Sequence, residues 1–342
     1  MINTITTAPL ADYKLPALYI ALNDLLMEQV LNADRAFLNA LQFAGSLAVE
    51  HELLKYAPGN RCVIAYYLRD TQTGQQTKII GKLYRESQGQ HIFQQMRQLW
   101  DARRRNRGQA LMAQPLHYVP SLGIILQQEV VGEPLGTLAV GSGFTAATMS
   151  AGHTLAVLHE TFVPGLVVRE EMVEHLEKYC QPAIAKIELA TPELQPLLDG
   201  VVTELLTAVL PTDAPLSTVH NDLNLSHVYW QRGQTFLIDF DGLCLSHAAL
   251  DLANFRVALR VQLGARGTML GDQFLNAYLE TRGIEAVEGL ATYEALAWLR
   301  QAVDCYHSRV GNERLMQTKW FLEQAWATLV GETAVIYAAP TF

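Results

Sequence analysis

The chain is short of several features that would settle its chemistry at once. Its 342 residues contain no Gly-x-x-x-x-Gly-Lys-[Ser/Thr] string, which argues against the P-loop class of nucleotide-binding proteins. Cysteine is scarce. Cys62, Cys180, Cys244 and Cys305 are never paired at metal-ligand spacing and form no disulfide framework, so a reducing, cytoplasmic setting is expected. No stretch of 18 uncharged apolar residues occurs, so no membrane span is expected. Met1 to Tyr13 lack the basic block and apolar core of a secretory signal. No repeat of 20–50 residues and no low-complexity linker is visible. Positive charge is in deficit: 25 Lys and Arg against 34 Asp and Glu leave a net charge of −9. That balance disfavours nucleic acid and anionic membranes as partners and favours a cationic or neutral substrate.

What is present is a globular composition, half hydrophobic and 17% charged, long enough for roughly two domains. Apolar positions at helical spacing (Leu18, Leu22, Leu25, Leu26, Val30) predict one or two helices over 15–43. The period then changes. Glu52–Tyr56, Cys62–Leu68 and Lys78–Tyr84 read as strands joined by turns at Pro58-Gly59-Asn60 and Asp70–Gln76, an antiparallel meander. A helix over 87–107 follows, with Ser87 as its cap, and a strand from Gly123 to Gly132. Helices then dominate, at 145–160, 169–190, 193–210, 248–264, 270–282 and 291–332, interrupted by a loop and short hairpin over 218–239. The predicted organisation is an N-terminal helical segment (1–45), a small β unit (46–128) and a helical unit (129–342) carrying a loop at 218–242.

That loop carries the chemistry. His220-Asn221-Asp222 places a carboxylate after an apolar strand end. His227, five residues on, is metal-capable. Phe236-Leu237-Ile238-Asp239 then delivers a second carboxylate on an apolar run, with Asp241 two residues beyond it. Phosphoryl transfer needs these parts: a base to orient and deprotonate a hydroxyl, and ligands for the ions that bridge the nucleotide phosphates. A charge bordered by apolar residues, as at Asp239, is costly to bury unless paired or metal-bound. Asp241 would share the side of Asp239 if the strand continues.

These residues resemble the catalytic core of the aminoglycoside phosphotransferase and choline kinase group, small-molecule kinases whose pattern is His-x-Asp-x-x-x-x-Asn followed by a hydrophobic-Ile-Asp. The resemblance covers roughly residues 50–260. It implies an α+β, two-lobed protein-kinase-like fold with a small antiparallel β N-lobe and a larger helical C-lobe. It also implies transfer of the γ-phosphate of ATP (or GTP), with Mg²⁺ (or Mn²⁺), to a hydroxyl of a small molecule: an amino sugar, a sugar, an amino alcohol or an antibiotic. Asp222 would be the base, Asp239 the principal metal ligand, and Lys82 the clamp on the α and β phosphates, with Lys78 as its rival. Gly59 would offer backbone N–H groups to the phosphates, and Glu129 belongs to the segment where adenine is bonded. Leu158-His159 matches a recurring family feature, and Asp251 looks like the family's helix-start aspartate, read here as a cap and brace. Oligomeric state is left open.

The sequence departs from the pattern in two places. His227 stands where the family has Asn, and magnesium prefers oxygen while imidazole suits zinc, iron or nickel. Residues 87–100 contain no acid to hold Lys82, which leaves Glu86 or an amide. These departures keep a weakly active or inactive nucleotide-binding regulatory protein as the alternative. A metal-dependent phosphohydrolase built from His220, Asp222, His227, Asp239, Asp241 and His247 is the third reading.

Overall fold

The computed structural model describes residues 12–85, 88–105, 112–211, 214–309 and 311–331. The chain divides at Val131/Gly132 into two compact units.

The first unit opens with three short helices where the sequence predicts one or two. They are α1 (Leu18–Ala21), α2 (Asp24–Ala33) and α3 (Arg35–Leu41). The breaks have local causes. The Asn23 side chain accepts the Leu26 N–H at 3.0 Å, and the Asp34 carboxylate accepts the Phe37 N–H at 3.0 Å, so each starts a new helix. Strands β1 (Leu47–Ala57), β2 (Arg61–Asp70) and β3 (Gln76–Tyr84) form the meander, followed by α4 (Gln88–Arg105), β4 (Pro115–Val119) and β5 (Ile124–Gln128). The sheet is antiparallel throughout, in the order β1-β2-β3-β5-β4. The sequence reading lacks β4, whose leading proline suits only an edge strand, which is the place it takes.

One sheet face buries Ile64, Tyr66, Leu68, Ile79, Leu83, Ile124 and Leu126 against Leu18, Met27, Leu31 and Phe37 of the helices. Residues Leu15 to Phe43 therefore share the core of the β unit. Gly81 on β3 is required here, because a Cβ would stand 2.5 Å from the Tyr66 ring, and Tyr66 donates its hydroxyl to Ala21 O at 2.7 Å. Alternation along β3 puts Lys78 and Lys82 on the face opposite Ile79 and Leu83.

The second unit contains β6 (Glu133–Pro134), α5 (Ser142–His159), α6 (Met172–Tyr179), α7 (Gln181–Ala190), α8 (Gln195–Thr207), β7 (Ser217–Val219), β8 (Val228–Gln231), β9 (Gln234–Leu237), β10 (Cys244–Ser246), α9 (Ala249–Leu263), α10 (Ala265–Leu279), α11 (Leu290–Ser308) and α12 (Gly311–Leu329). Its core packs Leu198, Val201, Leu250, Val257, Leu296, Leu299 and Leu322. Two long predicted helices are split. The first breaks at Cys180, before a proline that opens α7 without an N–H to continue the ladder. The second breaks before Gly311, whose φ of +66° is left-handed. Helices α5 and α10 approach so closely at Gly152 that a Cβ there would lie 2.4 Å from Phe274 O. All four cysteines are buried as free thiols.

Candidate active site

Two small sheets in the second unit present the loop residues. Strand β7 pairs with β10, and β8 pairs with both β6 and β9. The turn between β8 and β9 uses Arg232 and Gly233 at φ +47° and +85°, the paired positive values of a tight two-residue hairpin. Beyond the ladder, Ile238 N–H donates to His227 O at 3.0 Å, so the hairpin register brings His227 beside the residues around Asp239.

The His220–Asp222 loop is held from behind by a fully buried carboxylate. Asp251 Oδ2 accepts the His220 N–H at 2.6 Å and Oδ1 accepts the Asn221 N–H at 2.7 Å. His159 Nε2 donates to the same Oδ2 at 3.1 Å, and its Nδ1 accepts from the Tyr278 hydroxyl at 2.9 Å. Burial pushes the His159 imidazole down, so it is neutral. Asp251 is lowered: burial opposes ionisation, but the bonds from His159 and from the loop backbone outweigh it. The sequence reading of Asp251 as a brace holds. Its reading as a cap changes, since Asp251 lies in the first turn of α9 and accepts from the His220 and Asn221 N–H groups. Asn221 sits at φ +68° and Asp239 at φ +69°, a left-handed conformation costing roughly 1–2 kcal/mol at a residue with a Cβ. Asn221 is secured by its Nδ2 donating to Gly242 O at 3.2 Å.

His220 Nε2 donates to Ile238 O at 2.8 Å, tying the two loops together, so this histidine braces the site. His227 is different. Its Nδ1 lies 2.8 Å from Asp222 O and 3.0 Å from the Asn224 amide nitrogen. Nε2 lies on the other side of the ring, 3.5 Å from Asp239 Oδ2. Burial first, and the nearby His220 second, push the His227 imidazole down, so it stays neutral. A neutral imidazole with one nitrogen beside a carbonyl and the other facing a carboxylate oxygen is a donor set that fits a divalent cation. Among the described residues no group of three His, Cys, Asp or Glu stands ready to hold a metal.

Asp222 is half exposed, and its Oδ1 receives Arg300 Nη2 at 3.0 Å. Arg300 Nη1 also donates to Asn221 O at 3.1 Å and to Asn254 Oδ1 at 3.2 Å, so the guanidinium fixes both the loop and its carboxylate. The sequence reading missed Arg300. It sits on α11, some 80 residues downstream with no motif around it, and only the fold reveals it.

Other predicted positions fare variously. Asp241 falls in a 3₁₀ turn over Phe240–Gly242, so the strand-alternation argument for its side chain does not apply. His247 is engaged elsewhere, by Tyr293 at 2.8 Å and Pro211 O at 2.9 Å, which removes it from the six-residue set of the phosphohydrolase reading. In the first unit, Lys82 is 7% exposed and pairs across β3 with Val63 and Ile125. Its rival Lys78 is committed to Glu129 at 2.7 Å. The Gly59 N–H, intended for a phosphate, donates to Asp12 Oδ2 at 2.7 Å. Glu86 and Ser87 lie outside the described residues. An open cleft of about 540 Å³ lined by Glu170, Glu171 and His247 includes none of Asp222, His227 and Asp239.

Residues 141–299 match the model of the phosphotransferase enzyme family. No curated protein matches the chain. Among solved structures, the chain is similar to a choline kinase of Cryptosporidium parvum Iowa II, with TM-score 0.59 and 11% identity over 84% of this chain and 92% of that one. It is likewise similar to the choline kinase LicA of Streptococcus pneumoniae, with TM-score 0.55 and 14% identity over 89% and 99%. A thermostable mutant of the aminoglycoside phosphotransferase APH(4)-Ia gives TM-score 0.56 and 12% identity over 90% and 100%. At these identities the likeness is one of fold, and that fold is the kinase-like one expected from the motif. The His-x-Asp loop, the second carboxylate and much of the helical frame lie within the 141–299 stretch that is similar to the phosphotransferase enzyme family.

Proposed function

We propose that this protein transfers the γ-phosphoryl group of ATP (or GTP) to a hydroxyl of a small molecule. The observation that carries the reading is the placement of His227, whose two ring nitrogens address the Asp222 carbonyl and the Asp239 carboxylate within the stretch similar to the phosphotransferase enzyme family.

Asp222 is the base. Its carboxylate, steadied by Arg300, orients the acceptor hydroxyl and takes its proton as the new bond to phosphorus forms. His227 Nε2 and Asp239 hold the divalent ion, Mg²⁺ or Mn²⁺, with Asp241 as an additional carboxylate close by in sequence. When bound, the ion neutralises charge on the nucleotide phosphates. Lys82, buried on the central strand, clamps the α and β phosphates. Asp251 and His159 keep the loop in its left-handed geometry, so the base is positioned before substrate arrives.

The alternative, a nucleotide-binding protein without turnover, is motivated by His227 in place of an amide ligand. A single assay separates the two. Purified protein is incubated with ATP, Mg²⁺ or Mn²⁺ and a panel of hydroxylated acceptors, and ³¹P NMR follows phosphoester formation. Turnover that falls about 10²–10⁴-fold in Asp222→Asn supports the enzyme. Nucleotide binding with no phosphoester from any acceptor supports the regulatory protein.

A further inference from the structure

Positive charge collects beside Asp222 beyond anything the transfer chemistry explains. The Arg300 guanidinium that grips Asp222 also lies over the Tyr179 ring, 4.1 Å from its centroid. The Lys178 ammonium stands 4.7 Å from the same centroid. Arg169, just ahead of α6, is a third cation, and its charge is felt at His175, Lys178 and Tyr179. Asp222 and Asp304 are acids whose charge reaches this group. Nearby Glu171 and Glu174 are occupied with each other's backbone in the capping box that starts α6.

Two further features mark the cluster as incomplete. The Tyr179 hydroxyl and Arg169 Nε are both buried without a hydrogen-bond partner. Lys178, though its chain is largely exposed, has its ammonium pushed down to about 8, by desolvation first and by Arg169 second. Crowded like charges and orphaned polar atoms are both unfavourable, and a bound anion relieves both.

We propose that the acceptor is an anion: a hydroxylated compound bearing a carboxylate or phosphate group, which Arg169, Lys178 and the Tyr179 hydroxyl hold while its hydroxyl meets Asp222. The inference rests on Asp222 being the base of the proposed reaction. In the step it serves, the acceptor O–H bond breaks and its proton passes to the Asp222 carboxylate. The acceptor oxygen bonds to the γ-phosphorus, and the bond from that phosphorus to the bridging oxygen breaks, with its electron pair leaving on the nucleoside diphosphate. A quaternary ammonium or amino-sugar acceptor would instead face three like charges. The net charge of −9, which by itself favours a cationic or neutral substrate, describes the whole surface, and this corner has the opposite sign.

The test is isothermal titration calorimetry on the full chain with AMP-PNP and Mn²⁺ present, using D-glycerate, glycerol 3-phosphate, inorganic phosphate, glycerol and choline as titrants. At least one anion binds at millimolar concentration or better, while glycerol and choline do not. Tighter binding of glycerate identifies a carboxylate headgroup, and tighter binding of the phosphates a phosphate. Lys178→Gln and Arg169→Gln each weaken anion binding by about tenfold, the scale of one charge-assisted hydrogen bond, while the exposed Lys186→Gln leaves it unchanged. Lys178 is exposed enough that its replacement keeps the fold, so the test does not depend on Arg169. No anion binding, equal binding to wild type and Lys178→Gln, or preferred binding of choline overturns the inference. A separate AMP-PNP titration distinguishes the failures. Without nucleotide binding the proposed function itself fails; with nucleotide binding but no anion binding, the acceptor assignment alone fails.

Discussion

His227 Nε2 faces Asp239 Oδ2 across 3.5 Å, while its Nδ1 lies 2.8 Å from the Asp222 carbonyl oxygen. Imidazole binds late first-row ions far better than it binds magnesium, and manganese accepts mixed nitrogen and oxygen ligands. The AMP-PNP complex should therefore melt at a higher temperature with Mn²⁺ than with Mg²⁺. In His227→Asn the preference should reverse, because an amide oxygen replaces the nitrogen. Differential scanning fluorimetry across the two metals reads this directly, and an unchanged order of metals in the variant would place the cation away from His227.

The two lysines of β3 make a matched pair. Lys82 is buried in mid-sheet, whereas Lys78 is spent on Glu129. Lys82→Met should abolish stabilisation by nucleotide, while Lys78→Met should keep it and lose only the modest energy of a partly exposed ion pair, up to about 1 kcal/mol. Equal losses of nucleotide binding in both variants would remove Lys82 from its role.

Asp251 receives three hydrogen bonds in full burial. Asp251→Ala leaves two backbone N–H groups and an imidazole N–H without acceptors, and the loss should be about 3–5 kcal/mol in urea denaturation, the scale for breaking a buried polar network from one side. A loss below 1 kcal/mol would mean that the loop finds its geometry without this brace.

Buried histidines set the acid limit. His175 is lowered to about 4, by burial first and then by Arg300, Arg169 and Lys178. Its ordinary value is near 6.5. Between those values the unfolded chain carries a proton that the folded chain refuses, so stability rises with pH through this window and is fully present above it. The contribution is on the order of 3 kcal/mol, from a shift of roughly 2.5 units at about 1.4 kcal/mol each. His159 and His227, lowered for the same reason, act with the same sign. Urea melts at pH 4.5, 5.5, 6.5 and 7.5 should show the slope, and His175→Gln should flatten it.

Much of this molecule was legible in its residues because the signals were local. The meander announced itself by β-branched runs between Gly and Asn turns. The candidate site stood out by spacing, since His220, Asp222 and Asp239 lie within a short stretch. The Cys180 break was readable in principle from the proline that follows it, and the helix starts at Asp24 and Arg35 from the Asn and Asp before them. What stayed hidden depends on distance along the chain. Arg300 reaches Asp222 from α11, Tyr278 reaches His159 from α10, and the cations around Tyr179 come from three separate places. Asp241 misled because the strand ends at Leu237, two residues before Asp239, and alternation stops with it.

The four thiols have a practical consequence. Burial pushes Cys62, Cys180 and Cys244 up to about 12 and raises Cys305 as well. Since the thiolate is the reacting form, maleimides and mild oxidants should pass over the native protein and modify it only as it opens. The wild-type chain is thus a quiet background for labelling, in which one cysteine engineered at an exposed position carries a fluorophore alone and the native thiols serve as clocks for unfolding.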